Sequence, residues 1–198
     1  MKYCITLISL LTIGISQDGE FSGVVYYNYT YDLTEDAANN DGYGLDRVYF
    51  TYKQNLSEGL SFKLQTDINS SATPKEVYLK NAKVDWESRI GKLTIGLQGM
   101  NVFNIAEKNW GFRFLEKSPM DMYGFSSSAD MGIGYSGKLK VINYSLMITN
   151  GTGYKNNEND KYKKISTQFV YGEKNLIKND GFNVGLTYTM ENYDIDTD

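Results

Sequence analysis

Residues 60–68 read Leu60-Ser61-Phe62-Lys63-Leu64-Gln65-Thr66-Asp67-Ile68. In an extended chain, successive side chains point to opposite faces. Leu60, Phe62, Leu64 and Ile68 therefore share one face, and Ser61, Lys63, Gln65 and Asp67 share the other. The same alternation recurs on both sides of this stretch. Before it come Val25, Tyr27, Tyr29 and Tyr31, then Val48, Phe50 and Tyr52. After it come Ala82, Val84 and Trp86, then Leu93, Ile95 and Leu97. The series continues with Ala129, Met131, Ile133 and Tyr135, then Ile142, Tyr144, Leu146 and Ile148. Ile165, Phe169 and Tyr171 follow, and Phe182, Val184, Leu186, Tyr188 and Met190 close the series. The pattern predicts about nine antiparallel strands and an all-β chain. A helical turn is expected only near residues 104–110.

Composition agrees and narrows the function. The 198 residues include 17 Tyr and 19 Gly but only two Pro, Pro74 and Pro119, and both Pro fall between the expected strands, where a missing N–H costs no ladder bond. There is no His and one Cys, Cys4. That excludes a Ser-His-Asp triad, an intrachain disulfide and His or Cys metal sites. The reading is accordingly of a chain that is not an enzyme and holds no metal or cofactor. A net charge of −4 argues against nucleic acid as a partner.

Met1-Lys2 followed by the apolar run of residues 5–15 and Gly14-Ile15-Ser16 has the layout of a secretory signal peptide, assigned to residues 1–16. The run is too short for a spanning helix. Residues 17–198 form the exported domain.

The connections decide the class of β protein. Those at residues 34–42, 69–76, 99–126 and 150–163 are long. Those at 55–59, 87–91 and 137–138 are short, and residues 172–181 are a partial exception. Long loops on one side and short turns on the other describe an up-and-down transmembrane β-barrel. Charged residues sit in mid-strand opposite the apolar faces, as suits a wet lumen, and Tyr31, Tyr52, Trp86, Tyr135 and Tyr171 sit near strand ends, where headgroups favour aromatic rings. A soluble exported β-sandwich binding module has the same alternation and is the competing architecture.

Three segments carry a family resemblance. The run Asp46-Arg47-Val48-Tyr49-Phe50-Thr51-Tyr52-Lys53, with its turn and residues 60–67, resembles a hairpin of the bacterial phosphate-selective porin O/P-like proteins. The stretch from Tyr78 to Trp86 with Leu93-Thr94-Ile95-Gly96-Leu97-Gln98-Gly99 is similar to their next hairpin. Gly111-Phe112-Arg113-Phe114-Leu115-Glu116-Lys117-Ser118-Pro119-Met120-Asp121 is similar to their long third loop. The resemblance implies an outer-membrane homotrimer, embedded in lipid and lipopolysaccharide, that passes small solutes or inorganic anions such as phosphate. It also implies a barrel of about 16–18 strands, of which this chain would supply the N-terminal portion. A complete barrel of eight to ten strands with a structural or adhesion role is the alternative.

With the apolar faces turned to lipid, Arg47, Lys53, Lys63 and Lys83 form a basic ladder across adjacent strands, and Asp67, Asp85, Asp130 and Asp32 share the lumen. The long loop carries Glu107, Lys108, Arg113, Glu116, Lys117 and Asp121, and a loop of this length is expected to fold back and narrow the pore. Gly132-Ile133-Gly134-Tyr135-Ser136-Gly137 matches G-x-G-x-x-G, but it lies within a strand rather than opening a helix. Its alternate glycines are expected to relieve crowding on the lumen face. Asp194, Asp196 and Asp198, with Asn157–Asp160, read as solvated loop tips.

Overall fold

A computed structural model describes residues 19–31 and 42–192. The signal segment, Asp32, most of the first loop and the Asp194–Asp198 tail lie outside the described residues. The strands are β1 (Glu20–Thr30), β2 (Gly42–Ser57), β3 (Leu60–Asn69), β4 (Glu76–Ser88), β5 (Gly91–Gly99), β6 (Ala129–Leu139), β7 (Ile142–Thr149), β8 (Lys164–Gly172) and β9 (Asn183–Met190). All belong to one sheet in the order β1 to β9, and every neighbouring pair is antiparallel. The expected all-β meander is therefore the observed fold. Turns at residues 58–59, 89–90 and 140–141 and the longer 173–182 occupy one rim. Loops 70–75, 100–128 and 150–163 occupy the other. The two helices, α1 (Asn101–Trp110) and α2 (Pro119–Met122), lie in the 100–128 loop. Gly111, left-handed at φ 70°, ends α1, and Pro119 opens α2 at a position where its absent N–H is not missed. Neither helix is long and apolar enough to cross a membrane.

Which face is covered separates the two architectures. In a sandwich, Ile95, Ile133 and Leu146 would be sealed against a second sheet. Here they are 51%, 52% and 44% exposed, with Phe169 and Leu186 also open. Buried residues are mostly polar: fourteen polar or charged side chains are buried against six hydrophobic ones, among the described residues. A water-soluble domain has the reverse inventory. Among the described residues the apolar cluster is small, with Met100 and Phe103 packed on Met147 of β7. The sheet curls with its polar face inward and its apolar face outward.

Three register shifts interrupt the ladders, one beside the β2–β3 turn at Leu56 and two that keep that facing in phase. The β1–β2 register skips Asp46, and the β3–β4 register skips Lys80. Tyr43 and Leu45 sit on the outer face at odd positions, and Val48, Phe50 and Tyr52 at even ones. Val77 and Leu79 change parity in the same way to Ala82, Val84 and Trp86. Each bulge absorbs the slip by presenting two consecutive polar residues inward, Asp46-Arg47 and Lys80-Asn81.

Aromatic pairs ring the short-turn rim. Phe21 meets Tyr52 at 4.7 Å, Tyr135 meets Tyr144 at 6.1 Å, and Tyr171 meets Phe182 at 5.9 Å between ring centroids. The hydroxyls of Tyr135 and Tyr144 both donate to the Ile90 carbonyl, at 3.1 and 2.8 Å. At the opposite rim Tyr29 and Tyr43 pair edge-on at 5.0 Å.

Candidate functional site

The concave face encloses a cavity of about 1000 Å³ lined by β1 to β8, α1 and the inward-folded loops. Its wall has two unlike halves. From β2 to β5 it carries Arg47, Lys63, Lys80, Lys83 and Lys92. From β6 to β8 the strand positions that line it are neutral, among them Gly134, Ser136, Asn143, Ser145 and Gln168. Gly134 leaves room for a neighbour, because a Cβ there would lie 2.8 Å from Gln98 Oε1 and push that amide aside. Gln98 occupies that space and donates to the Gly132 carbonyl at 3.0 Å. The glycine pair thus relieves crowding on the inner face, as its position in the sequence suggested.

The long loop folds into the cavity and is clamped to the neutral half. Asn101, only 2% exposed, holds the N-terminus of α1 on the wall. Its Nδ2 donates to the Ser166 carbonyl at 3.2 Å and to Ser145 Oγ at 3.4 Å. Its Oδ1 accepts from Ser166 Oγ at 2.5 Å, and its carbonyl accepts from Gln168 Nε2 at 2.8 Å. Beyond the helix, Arg113 pairs with Asp121 at 3.3 Å, and Ser118 Oγ donates to Glu107 at 3.3 Å. Glu107, Lys108, Arg113, Glu116, Lys117 and Asp121 all face the cavity. The helix starts three residues earlier than the expected turn, because the apolar Met100–Phe103 segment packs on Met147.

The basic ladder is not continuous. Arg47 is paired with Asp67 at 2.9 Å and Lys83 with Asp85 at 2.7 Å. Lys63 lines the cavity and donates to Gln65 at 3.2 Å. Lys53 lies beside Lys63 in register but is exposed and lines none of the cavity. The three described acidic residues assigned to the lumen also need correction. Asp67 is 1% exposed beneath Arg47 and Tyr78, whose hydroxyl donates to it at 3.1 Å. Asp85 is held by Lys83 and by Thr94 Oγ1 at 2.5 Å. Asp130 accepts the Met131 and Gly151 amides at 2.8 and 2.6 Å, anchoring the 150–163 loop rather than facing open water. Each of these carboxylates is consumed by a nearby cation or backbone N–H.

Residues missed in the sequence are as informative. Lys80 was hidden by its bulge, although the parity change between Leu79 and Ala82 was its signal. Lys92 precedes an alternation that was read from Leu93. Lys174 projects from the 173–182 turn into the cavity. Burial, then Lys108, Lys92 and Lys138, pushes its ammonium below the ordinary lysine value.

No family model and no curated protein matches the chain. Among solved structures the chain is similar to OmpTΔL8, a loop L8 deletion mutant of OmpT, an outer membrane protein of Vibrio cholerae. The identity is 11% and the TM-score 0.40, over 91% of this chain and 72% of that one. The likeness is loose, and the fold assignment stands on strand order and side-chain facing. It gives no membership of the phosphate-selective porin O/P-like family.

The exclusion of an enzyme is corrected. It rested on the missing histidine, and the likeness to OmpT supports no such exclusion. The wall itself brings carboxylate, phenol, hydroxyl and amine groups within hydrogen-bond reach, as in Asp67 with Tyr78 and Asp85 with Thr94 and Lys83. Groups of these kinds perform acid–base work without imidazole, so composition alone does not rule catalysis out.

Proposed function

We propose that this chain forms the wall of a water-filled outer-membrane channel that passes small hydrophilic solutes and prefers inorganic anions such as phosphate. The observation that carries the reading is the facing of the sheet, with apolar side chains exposed on the convex side and charge gathered around a polar cavity. The anion preference follows from the balance of the lining. Ten lining residues are Lys or Arg and four are Asp or Glu, although the whole chain is net −4. Pairing with Asp67 and Asp85 offsets two of the ten, Arg47 and Lys83. Lys63, Lys92, Lys108 and Lys174 then supply a field that favours anions at the constriction. Assembly as a homotrimer in lipid and lipopolysaccharide belongs to the same proposal, and cross-linking in intact outer membranes tests it.

Planar-bilayer recording tests the channel. Stepwise conductance with an anion-selective reversal potential is expected, and full-length protein that inserts without conducting refutes the proposal. Lys63→Gln and Lys92→Gln should each move the reversal potential toward cation selectivity. Arg47→Gln should move it further, because it uncovers Asp67. The depressed Lys174 ammonium adds a pH dependence. As pH rises, anion preference should begin to fall before an ordinary lysine would titrate, and Lys174→Met should abolish that early component.

The lipid-facing assignment carries its own test. Ile133→Arg on the outer face should cost about 2–4 kcal/mol of unfolding free energy in vesicles if it lies at the bilayer midplane. Ser145→Arg on the inner face should cost far less, because water reaches that wall.

A further inference from the structure

We propose that the 150–163 loop is a gate, latched over the β4 side of the mouth by Tyr154; this rests on the channel reading above. The loop leaves β7 and turns back across the start of β6, where the Tyr154 amide donates to the Ala129 carbonyl at 3.1 Å. From there the Tyr154 ring reaches β4. It lies 5.7 Å from the ring of Tyr78 and takes the ammonium of Lys80 3.9 Å from its centroid. Lys80 is 8% exposed and also donates to Ser128 Oγ, so its charge is met by the Ser128 hydroxyl and by the ring and hydroxyl of Tyr154. A desolvated cation over a ring is at the strong end of such contacts.

The latch has a built seat. Lys80 points inward because it is the bulged residue of β4, and bulges re-aim side chains at such places. The second bulge, at Asp46, sets Arg47 on Asp67, and Asp67 in turn accepts from Tyr78. The bulges at Asp46 and Lys80 therefore converge on the platform that receives Tyr154. Tyr154 and Lys155 line the cavity, and residues 155–161 are exposed. The Gly151 amide bond to Asp130 and the Tyr154 amide bond to Ala129 fix the start of the loop, and the Tyr154 side chain on Lys80 and Tyr78 holds the inward, mouth-narrowing position beyond them.

Full-length protein in membranes supplies two readouts. Tyr154→Ala and Lys80→Met should speed trypsin cleavage at Lys155 and lower the closed-to-open occupancy ratio in bilayers about tenfold, within the range of a desolvated cation–π contact. Tyr154→Phe keeps the ring but loses the hydroxyl contacts with Lys80 and Tyr78, and should fall between Tyr154→Ala and the unaltered protein in both assays. Unchanged cleavage in Tyr154→Ala overturns the latch. Faster cleavage with unchanged occupancy overturns the gate. Conductance absent from every variant and from the unaltered protein sinks the channel reading, and the gate with it.

Discussion

Asp67→Ala is expected to cost about 3–5 kcal/mol of stability, because removing one partner of a buried ion pair leaves the other charge uncompensated. Asp67 is 1% exposed, and the Arg47 guanidinium 2.9 Å away is only 15% exposed. Asp67 also accepts from the Tyr78 hydroxyl at 3.1 Å and from the Ile68 amide at 2.9 Å. Truncation strands all of these donors at once, with only the Tyr49 hydroxyl left beside Arg47. Against a total of about 5–15 kcal/mol, that removes much of the folded population. The double variant Asp67→Ala/Arg47→Gln should recover part of the loss, and a double-mutant cycle with the two single variants isolates the coupling. Urea midpoints in vesicles, followed by Trp86 and Trp110 fluorescence, provide the measurement. A single variant as stable as its parent contradicts the role given to the pair.

The second large effect falls on conduction. Asn101→Ala removes the side-chain bonds to Ser145 and Ser166 that hold α1 on the wall. Each buried group left unpaired costs about 1–3 kcal/mol, and the start of the helix is left with the Gln168 bond to the Asn101 carbonyl and the Met100–Phe103–Met147 contact. The fold should survive, since no strand pairing is lost. The constriction should loosen, with a larger and noisier single-channel conductance than the parent. Lys108 at the far end of α1 lines the cavity, so ion selectivity should weaken in the same variant. Conductance and selectivity identical to the parent would show that the helix does not restrict the path.

The strands were legible in the sequence because a one-sided sheet must alternate, and the long and short connections revealed the two rims. The slips at Asp46 and Lys80 were also written in the chain, as the parity changes between Leu45 and Val48 and between Leu79 and Ala82. Reading the fourth strand only from Ala82 onward missed Lys80. The charged wall was legible as a list and not as an arrangement. Arg47 and Asp67 are twenty positions apart, and alternation placed both on one face without revealing that they neutralise each other. Lys83 and Asp85, two apart on one face, were readable as a pair in principle. Asp130 was assigned to the lumen because nothing local indicates that the Gly151 amide caps it. The inward fold of the long loop followed from its length, but its attachment through Asn101 depends on Ser145, Ser166 and Gln168, 44 to 67 residues away.

Side-specific thiol labelling in living cells tests the central claim most directly. With Cys4 replaced by Ser, single cysteines at Ile95, Ile133 and Leu146 sample the outer face, and single cysteines at Lys63, Ser136 and Ser145 sample the inner. The account predicts that a small membrane-impermeant thiol reagent modifies the inner set, whereas only a lipid-soluble reagent reaches the outer set. Rapid modification of the outer set by the impermeant reagent would contradict it.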